Sequence, residues 1–287
     1  MTLGRFAWTG SAAALMALSL IAWRWPVDPG AIERGFAERY DGESIERGLL
    51  FDASGAEVAA VADGVVAYRD SGESGRPGIS RRGGMIVLDH DNGFRSIYSG
   101  LRGPGPAVGE RVLRGRTLGV GGEEGLRLEI YDRRNGWYAN PSSLLPYPEV
   151  EPLTGVGGIS VVSDDGRTIV PAYNRASHPA GVAEIRVIPR PDATEPAERV
   201  ISVSLTRGGE TIHAVEMSMV GVEADGTRLI WVGGSRPGGE LYDEEGWLRL
   251  GDVEIPAGDS ISFTVRVRNV RGLERTRIFT IDGVEVE

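Results

Sequence analysis

The chain has 287 residues, 41% of them apolar and 25% charged, enough to bury one large core or two ordinary ones and too apolar for a disordered chain. All 31 basic residues are Arg, and against 41 acids they leave a net charge of −10 without clustering, which argues against a nucleic-acid binder. The lack of Cys excludes disulfides, thiolate metal sites and a Cys nucleophile; the lack of Lys excludes Schiff-base and Walker-type phosphate chemistry; and three His leave a short catalytic menu.

Residues 6–23 (FAWTGSAAALMALSLIAW) form an uncharged stretch of 18 residues between Arg5 and Arg24, at the lower edge of a membrane span. No small-x-small cleavage signal precedes Trp25, so the stretch reads as an uncleaved signal anchor, with residues 1–30 forming anchor and linker. Arg5 and Arg24 balance each other, so orientation rests on the usual behaviour of N-terminal signals, which places the rest of the chain on the extracytoplasmic side of the inner membrane. A buried core helix is the alternative, opposed by the linker-like Pro-Val-Asp-Pro-Gly run at 26–30.

Residues 31–47, with the run AIERGFAER, are predicted as a short polar helix. From Gly48 to Leu145 the text becomes short β-rich runs (EVAAV, GVVAY, GMIVLDH, FRSIYS, RVLRGRTLGV, LRLEIYD) separated by Gly, Pro, Asp and Asn. Their spacing leaves no room for helical crossovers and predicts a mostly antiparallel sheet, so residues 31–145 form a first domain. Three prolines within 146–155 mark residues 146–157 as a semi-rigid linker. Residues 158–287 return to period-two alternation in about nine short runs and predict an immunoglobulin-like β-sandwich; the clearest pair is Ile261–Asn269 and Arg275–Gly283 around a turn at Asn269–Gly272. The fold class is all-β.

Several phrases within 46–145 come in a fixed order: Gly55-Ala-Glu-Val58, then Ala59-Ala-Val-Ala-Asp-Gly-Val-Val66, then Met85-Ile-Val-Leu-Asp-His-Asp-Asn-Gly93. Phe94–Leu101 (FRSIYSGL), Val108–Gly119, Leu126-Arg-Leu-Glu-Ile130 and Asn140-Pro141 follow. Together they resemble the lysostaphin-type, LytM-like murein endopeptidases, a zinc metallopeptidase family with the duplicated hybrid motif. The resemblance implies an antiparallel β-sheet domain with a peptide-binding groove and, in active members, a zinc held by His and Asp of an H-x-G-x-D phrase and by the second His of an H-x-H phrase. Such a zinc keeps one position open for the attacking water.

At those places this chain has Glu46 and Leu50 for the first phrase and Arg127 for the third ligand. Gly125 and Gly100 stand where two further catalytic His belong. Arg cannot ligate a cation, because its guanidinium stays protonated. Asp52 could replace the carboxylate missing at Leu50, but Glu46 and Asp52 beside Arg127 would more readily form an ion pair than recruit zinc. No metal or other cofactor is therefore expected, and the chain reads as a degenerate member, a pseudo-metallopeptidase.

Other polar residues have plainer readings. His90 belongs to a turn, His178 to a loop before Pro179, and His213 to a strand; Ser96 and Ser99 lack a His on a plausible neighbouring strand. The acidic run Glu240–Glu245 reads as a solvated loop in preference to a calcium site, and Asp164-Asp165-Gly166 as a hairpin turn. Glu129 is expected to pair with an Arg on a neighbouring strand.

The resemblance implies that Glu46, Tyr98, Gly100, Gly125, Arg127 and Glu129 line a groove that has outlasted its catalyst, with peptidoglycan or a cell-wall hydrolase as partner and the membrane contacted through residues 6–23. It also supplies a precedent, since some envelope proteins of this fold have lost their ligands and activate wall amidases. The alternatives are an active zinc endopeptidase with a remodelled metal site and a structural cell-surface spacer.

Overall fold

The computed structural model describes residues 23–41, 44–72, 83–146, 156–171, 174–187, 200–223, 226–231, 234–270 and 272–285. The expected anchor, apart from Trp23, and most of the Pro-rich linker lie outside the described residues. No helix among the described residues is long and apolar enough to cross a membrane.

The described residues of the first half contain twelve short strands: β1 (Ile32–Arg34), β2 (Arg39–Asp41), β3 (Ser44–Ile45), β4 (Gly48–Phe51), β5 (Glu57–Ala59), β6 (Gly64–Asp70), β7 (Gly84–Asp89), β8 (Phe94–Arg102), β9 (Arg111–Val112), β10 (Thr117–Gly121), β11 (Leu126–Asp132) and β12 (Trp137–Ala139). The second half adds β13 (Gly158–Ser163), β14 (Gly166–Pro171), β15 (Arg175–Pro179), β16 (Gly181–Val187), β17 (Val200–Arg207), β18 (Glu210–Glu216), β19 (Met219–Glu223), β20 (Gly226–Trp231), β21 (Gly234–Pro237), one helical turn at Gly238–Leu241, β22 (Leu248–Ile255), β23 (Ser260–Asn269) and β24 (Glu274–Val284).

The predicted helix over 31–47 does not form. Its residues make β1, which pairs antiparallel with β4, and the β2–β3 hairpin, with Ala37 in the left-handed region at φ 63°. Tertiary pairing outweighs the modest helical preference of AIERGFAER, which Gly35 already interrupts.

Strand β11 organises the first sheet. One edge pairs along most of its length with β8; the other is shared, Leu126–Glu129 pairing with β4 and Ile130–Asp132 with β12. Alternation sends Leu126, Leu128 and Ile130, all fully buried, into the core with Leu49, Phe51 and Tyr98, and sends Arg127 and Glu129 to the opposite face.

Residues of the second half form a four-stranded sheet (β14-β13-β16-β22) and a five-stranded sheet (β15-β24-β23-β17-β18), closed by apolar side chains such as Ile159, Val161, Ile185, Leu250, Val265 and Phe279. All pairings are antiparallel except β15 with β24, which is parallel. The turns at Asp164-Asp165 and Asn269–Gly272 are where the sequence predicts them. Strands β15 and β21 were not expected, because their sequences (RASHP and GSRP) lack strand-forming alternation.

The segment 219–237, inside the stretch expected to be a separate sandwich, pairs elsewhere. Strand β19 pairs antiparallel with β12, Tyr138 opposite Val220 and Ala139 opposite Met219, and β20 and β21 continue outward, so the first sheet reaches thirteen strands. Asn140 secures the join, its side-chain amide donating to the Met217 carbonyl at 2.9 Å and its Oδ1 accepting from Ser142 N–H at 3.0 Å.

Candidate functional site

The positions expected to carry the site converge where β4, β11 and β8 run side by side. Arg127 is directly opposite Leu50 on one flank and Ser99 on the other. Gly48 allows β4 and β11 to meet: a Cβ there would come within 2.2 Å of the Leu128 carbonyl oxygen. Gly125 lies beside Leu50, at φ 81°, where a Cβ would approach the Phe51 carbonyl to 2.5 Å. Gly100, at φ 90°, accepts a 2.7 Å hydrogen bond from Gly122 N–H, and Gly125 N–H donates to the Gly122 carbonyl. Both places at which the resemblance led us to expect a further His therefore have a left-handed backbone that opposes any side chain.

Glu46 is fully buried. Its Oε2 accepts a 2.9 Å hydrogen bond from Arg127 Nη2 and lies 3.8 Å from Arg34 Nη1, while its Oε1 has no hydrogen-bond partner among the described residues. Glu129, 6% exposed, forms an ion pair with Arg47 at 3.1 Å, and burial pushes its carboxyl up despite the nearby Arg47 and Arg127 charges. The Arg47 guanidinium lies 4.8 Å from the centre of the Tyr138 ring, whose hydroxyl is also pushed up by burial. The expected partner of Glu129 is thus Arg47, just before β4. Sequence reasoning missed Arg34 and Arg47 in this cluster; Arg47 lies inside the phrase Glu46–Leu50, which was the available signal, whereas Arg34, twelve positions before Glu46, carried none.

This donor set does not fit zinc. Of the three positions expected to hold ligands, one has a carboxylate already bonded to a guanidinium, another the buried aliphatic Leu50, and the third the guanidinium itself. Asp52, the possible substitute, is exposed at the end of β4, with its backbone N–H donating to the Ala31 carbonyl. Among the described residues, no group of three His, Asp or Glu could hold a metal ion. The arrangement can hold charged side chains in a fixed geometry, with Arg127 only 12% exposed at its side chain.

Tyr98 corrects the expected groove. Strand alternation turns it away from Arg127 and into the core, where it is fully buried and its hydroxyl accepts a 2.8 Å hydrogen bond from Val61 N–H; burial pushes its pKa up. One residue of register separates the two faces, and the Tyr-x-x-Leu phrase alone does not say which is which.

The His residues have structural partners. His90, 5% exposed, bonds through Nδ1 to the Asp63 carbonyl at 2.7 Å and through Nε2 to Ser96 Oγ at 2.8 Å, so Ser96 does have a neighbouring His, contrary to expectation. Ser96 is itself fully buried, and the far nitrogen faces a backbone carbonyl, so the pair is a clamp and not a nucleophile device. His178 lies in β15, not in a loop, and joins the five-stranded sheet to the four-stranded one through Thr168 Oγ1 at 2.9 Å and Ser163 Oγ at 3.1 Å. His213 Nε2 lies 2.7 Å from the Asp252 carbonyl oxygen.

The acidic run 240–245 is only partly the solvated loop expected: Glu240, Glu244 and Glu245 are exposed, while Leu241, Tyr242 and Asp243 are buried. Tyr242 donates to the Ala37 carbonyl, and the buried Asp243 accepts from the Trp247 and Glu245 N–H groups and from Arg186. Burial raises the Asp243 carboxyl, but these donors outweigh it and hold it below the usual range.

Residues 44–141 match Peptidase family M23. This segment belongs to that family. The Escherichia coli (strain K12) murein hydrolase activator EnvC is 31% identical over 128 residues, a match that covers 42% of this chain and 28% of EnvC. An uncharacterized protein of Neisseria meningitidis serogroup B is 33% identical over 123 residues, covering 41% of this chain and 19% of that protein. The M23 match therefore spans well under half the length of these relatives. Among solved structures, Helicobacter pylori Csd3 is similar over 47% of this chain and 38% of its own, with 19% identity and a TM-score of 0.37. The solution structure of lysostaphin is similar over 88% of this chain and 95% of its own, with 13% identity and a TM-score of 0.36.

Proposed function

We propose that this chain is a catalytically inactive M23-type module of the cell envelope, anchored in the inner membrane through residues 6–22, that regulates wall remodelling by binding peptidoglycan or a murein hydrolase; Trp23, the last residue of the expected anchor, is buried in the core instead. The carrying observation is the 2.9 Å hydrogen bond from Arg127 to the buried Glu46, which sets a fixed cation where an active relative needs a neutral imidazole. The similarity to a protein described as a murein hydrolase activator supports the regulatory reading and points to a hydrolase as the partner. We read residues 158–287, apart from the segment 219–237, as an immunoglobulin-like sandwich that supports the module; two facing, largely antiparallel sheets closed by the β23–β24 hairpin support that reading.

The test combines metal analysis with two activity assays on purified protein. The proposal expects no stoichiometric zinc, no cleavage of murein by the chain alone, and faster murein release when the chain is added to a wall amidase. Chelator-sensitive cleavage by the chain alone overturns it.

A further inference from the structure

We propose that the face formed by Arg24, Val65 and the loop Val108–Arg116 lies against an anionic phospholipid surface; this rests on reading residues 6–22 as a membrane anchor. Trp23 is buried, with its ring centre 5.3 Å from His90 and 6.0 Å from Phe94, and Arg24 N–H donates to the Val61 carbonyl at 2.8 Å. The chain is therefore fixed to the M23 domain from residue 23 onward. Read as a membrane helix, the 17 uncharged residues left (18 in the stretch less Trp23) would span about 26 Å, against a hydrocarbon core of about 30 Å. An anchor of that length uses all of its residues to span and leaves no slack, so the part of the domain around Trp23 and Arg24 is held at the headgroups.

The side chains there suit that place. The turn Leu113–Arg116 is closed by Arg116 N–H to the Leu113 carbonyl and is fixed beside Arg24 by Gly115 N–H to the Ala60 carbonyl. Strand β9 sets Arg111 opposite Val65. Val65, Val108 and Leu113 are 38%, 62% and 61% exposed, and Arg24, Arg111, Arg114 and Arg116 are exposed among them. Two carboxylates on this face are already engaged: Glu110 pairs with Arg116 at 2.5 Å, and Asp63 accepts Arg114 N–H at 2.6 Å. Asp28 and Glu57 border the depression that contains Arg24. Within the loop itself three Arg face one Glu, in a chain whose net charge is −10. Exposed large apolar side chains interleaved with Arg are the composition of a surface that enters the headgroup layer.

The test exploits the absence of Cys. Full chains carrying Leu113→Cys or, as reference, Val182→Cys (67% exposed, in the sandwich) are labelled with a nitrobenzoxadiazole dye and reconstituted into vesicles of phosphatidylcholine with phosphatidylglycerol. Dithionite should reduce the label at 113 several-fold more slowly than the label at 182. Adding Arg111→Glu with Arg114→Glu should abolish that difference while the chain still floats with the vesicles. Equal rates at the two sites overturn the docking face but leave the anchor standing. Equal protection in pure phosphatidylcholine overturns the choice of anionic lipid. Chains that do not float overturn the anchor, and the docking face with it.

Discussion

Arg127 Nη2 donates to Glu46 Oε2 at 2.9 Å, joining residues 81 positions apart at the point where β4, β11 and the β2–β3 hairpin meet. Breaking one half of such a pair leaves the other charge buried without its partner. Arg127→Ala should therefore destabilise the chain by about 3 kcal/mol, at the low end for a buried pair because Arg34 also lies near Glu46. The double change Glu46→Leu with Arg127→Met should cost far less than the sum of the single changes. Urea midpoints across the double-mutant cycle check both statements.

The same geometry says which parts of a metal site can be rebuilt. Glu46→His, Leu50→Asp and Arg127→His together should give a chain that retains about one zinc after dialysis, whereas the parent retains none. The two further catalytic His should not be tolerated, because Gly100 and Gly125 have φ of 90° and 81°. Adding Gly125→His should lower the melting temperature of the triple variant. Elemental analysis and thermal melts read these outcomes.

Acid should weaken the protein before its carboxylates protonate. Burial pushes the imidazoles of His90 and His178 below their ordinary value of 6.5. The folded state then binds fewer protons than the unfolded chain, so this stability is complete above pH 6.5 and is lost as pH falls below it. Asp89, Asp132 and Asp243, whose pKa values are depressed, contribute a loss only further down, below about 3.8. Glu129, raised by burial, acts in the opposite sense, losing stability as pH rises above 4.5. The His90→Gln variant should lose less stability than the parent between pH 7.5 and 5.5, as measured by urea unfolding.

Asn140 ties the M23 segment to the returning chain. Asn140→Ala removes its bond to the Met217 carbonyl and its bond to Ser142 N–H, and should cost about 2 kcal/mol. Because β12 and β19 share one ladder, the two halves should unfold in a single transition, and amides of β19 should exchange faster in the variant. Two separate unfolding steps in the parent would contradict this.

The family of the first domain was legible because its signals are local. Gly turns at fixed offsets, strand-length apolar runs and the phrases around Glu46, Asp89 and Glu129 each lie within a few residues, and their order carries the scaffold. The proposal that the zinc ligands are lost rests on an equally local signal, since Arg127 and Leu50 are the wrong chemistry for holding a metal whatever surrounds them. The partner of Glu129 was legible only in kind; Arg47 was not named, because which Arg reaches it depends on how β4 meets β11.

The sequence alone determined that the chain is built of short strands and that an M23-type scaffold occupies its first half; both follow from residue type and short spacing. Only the tertiary structure decided that Tyr98 faces the core, that Ser96 meets His90, that 31–47 becomes strands, and that Met219–Pro237 leaves the second unit to widen the first sheet. Those outcomes depend on register and on pairing between distant segments. A strand edge can bond to any other strand of suitable length, and alternation is unchanged when the two faces are exchanged, so the choice is made only when the whole core closes.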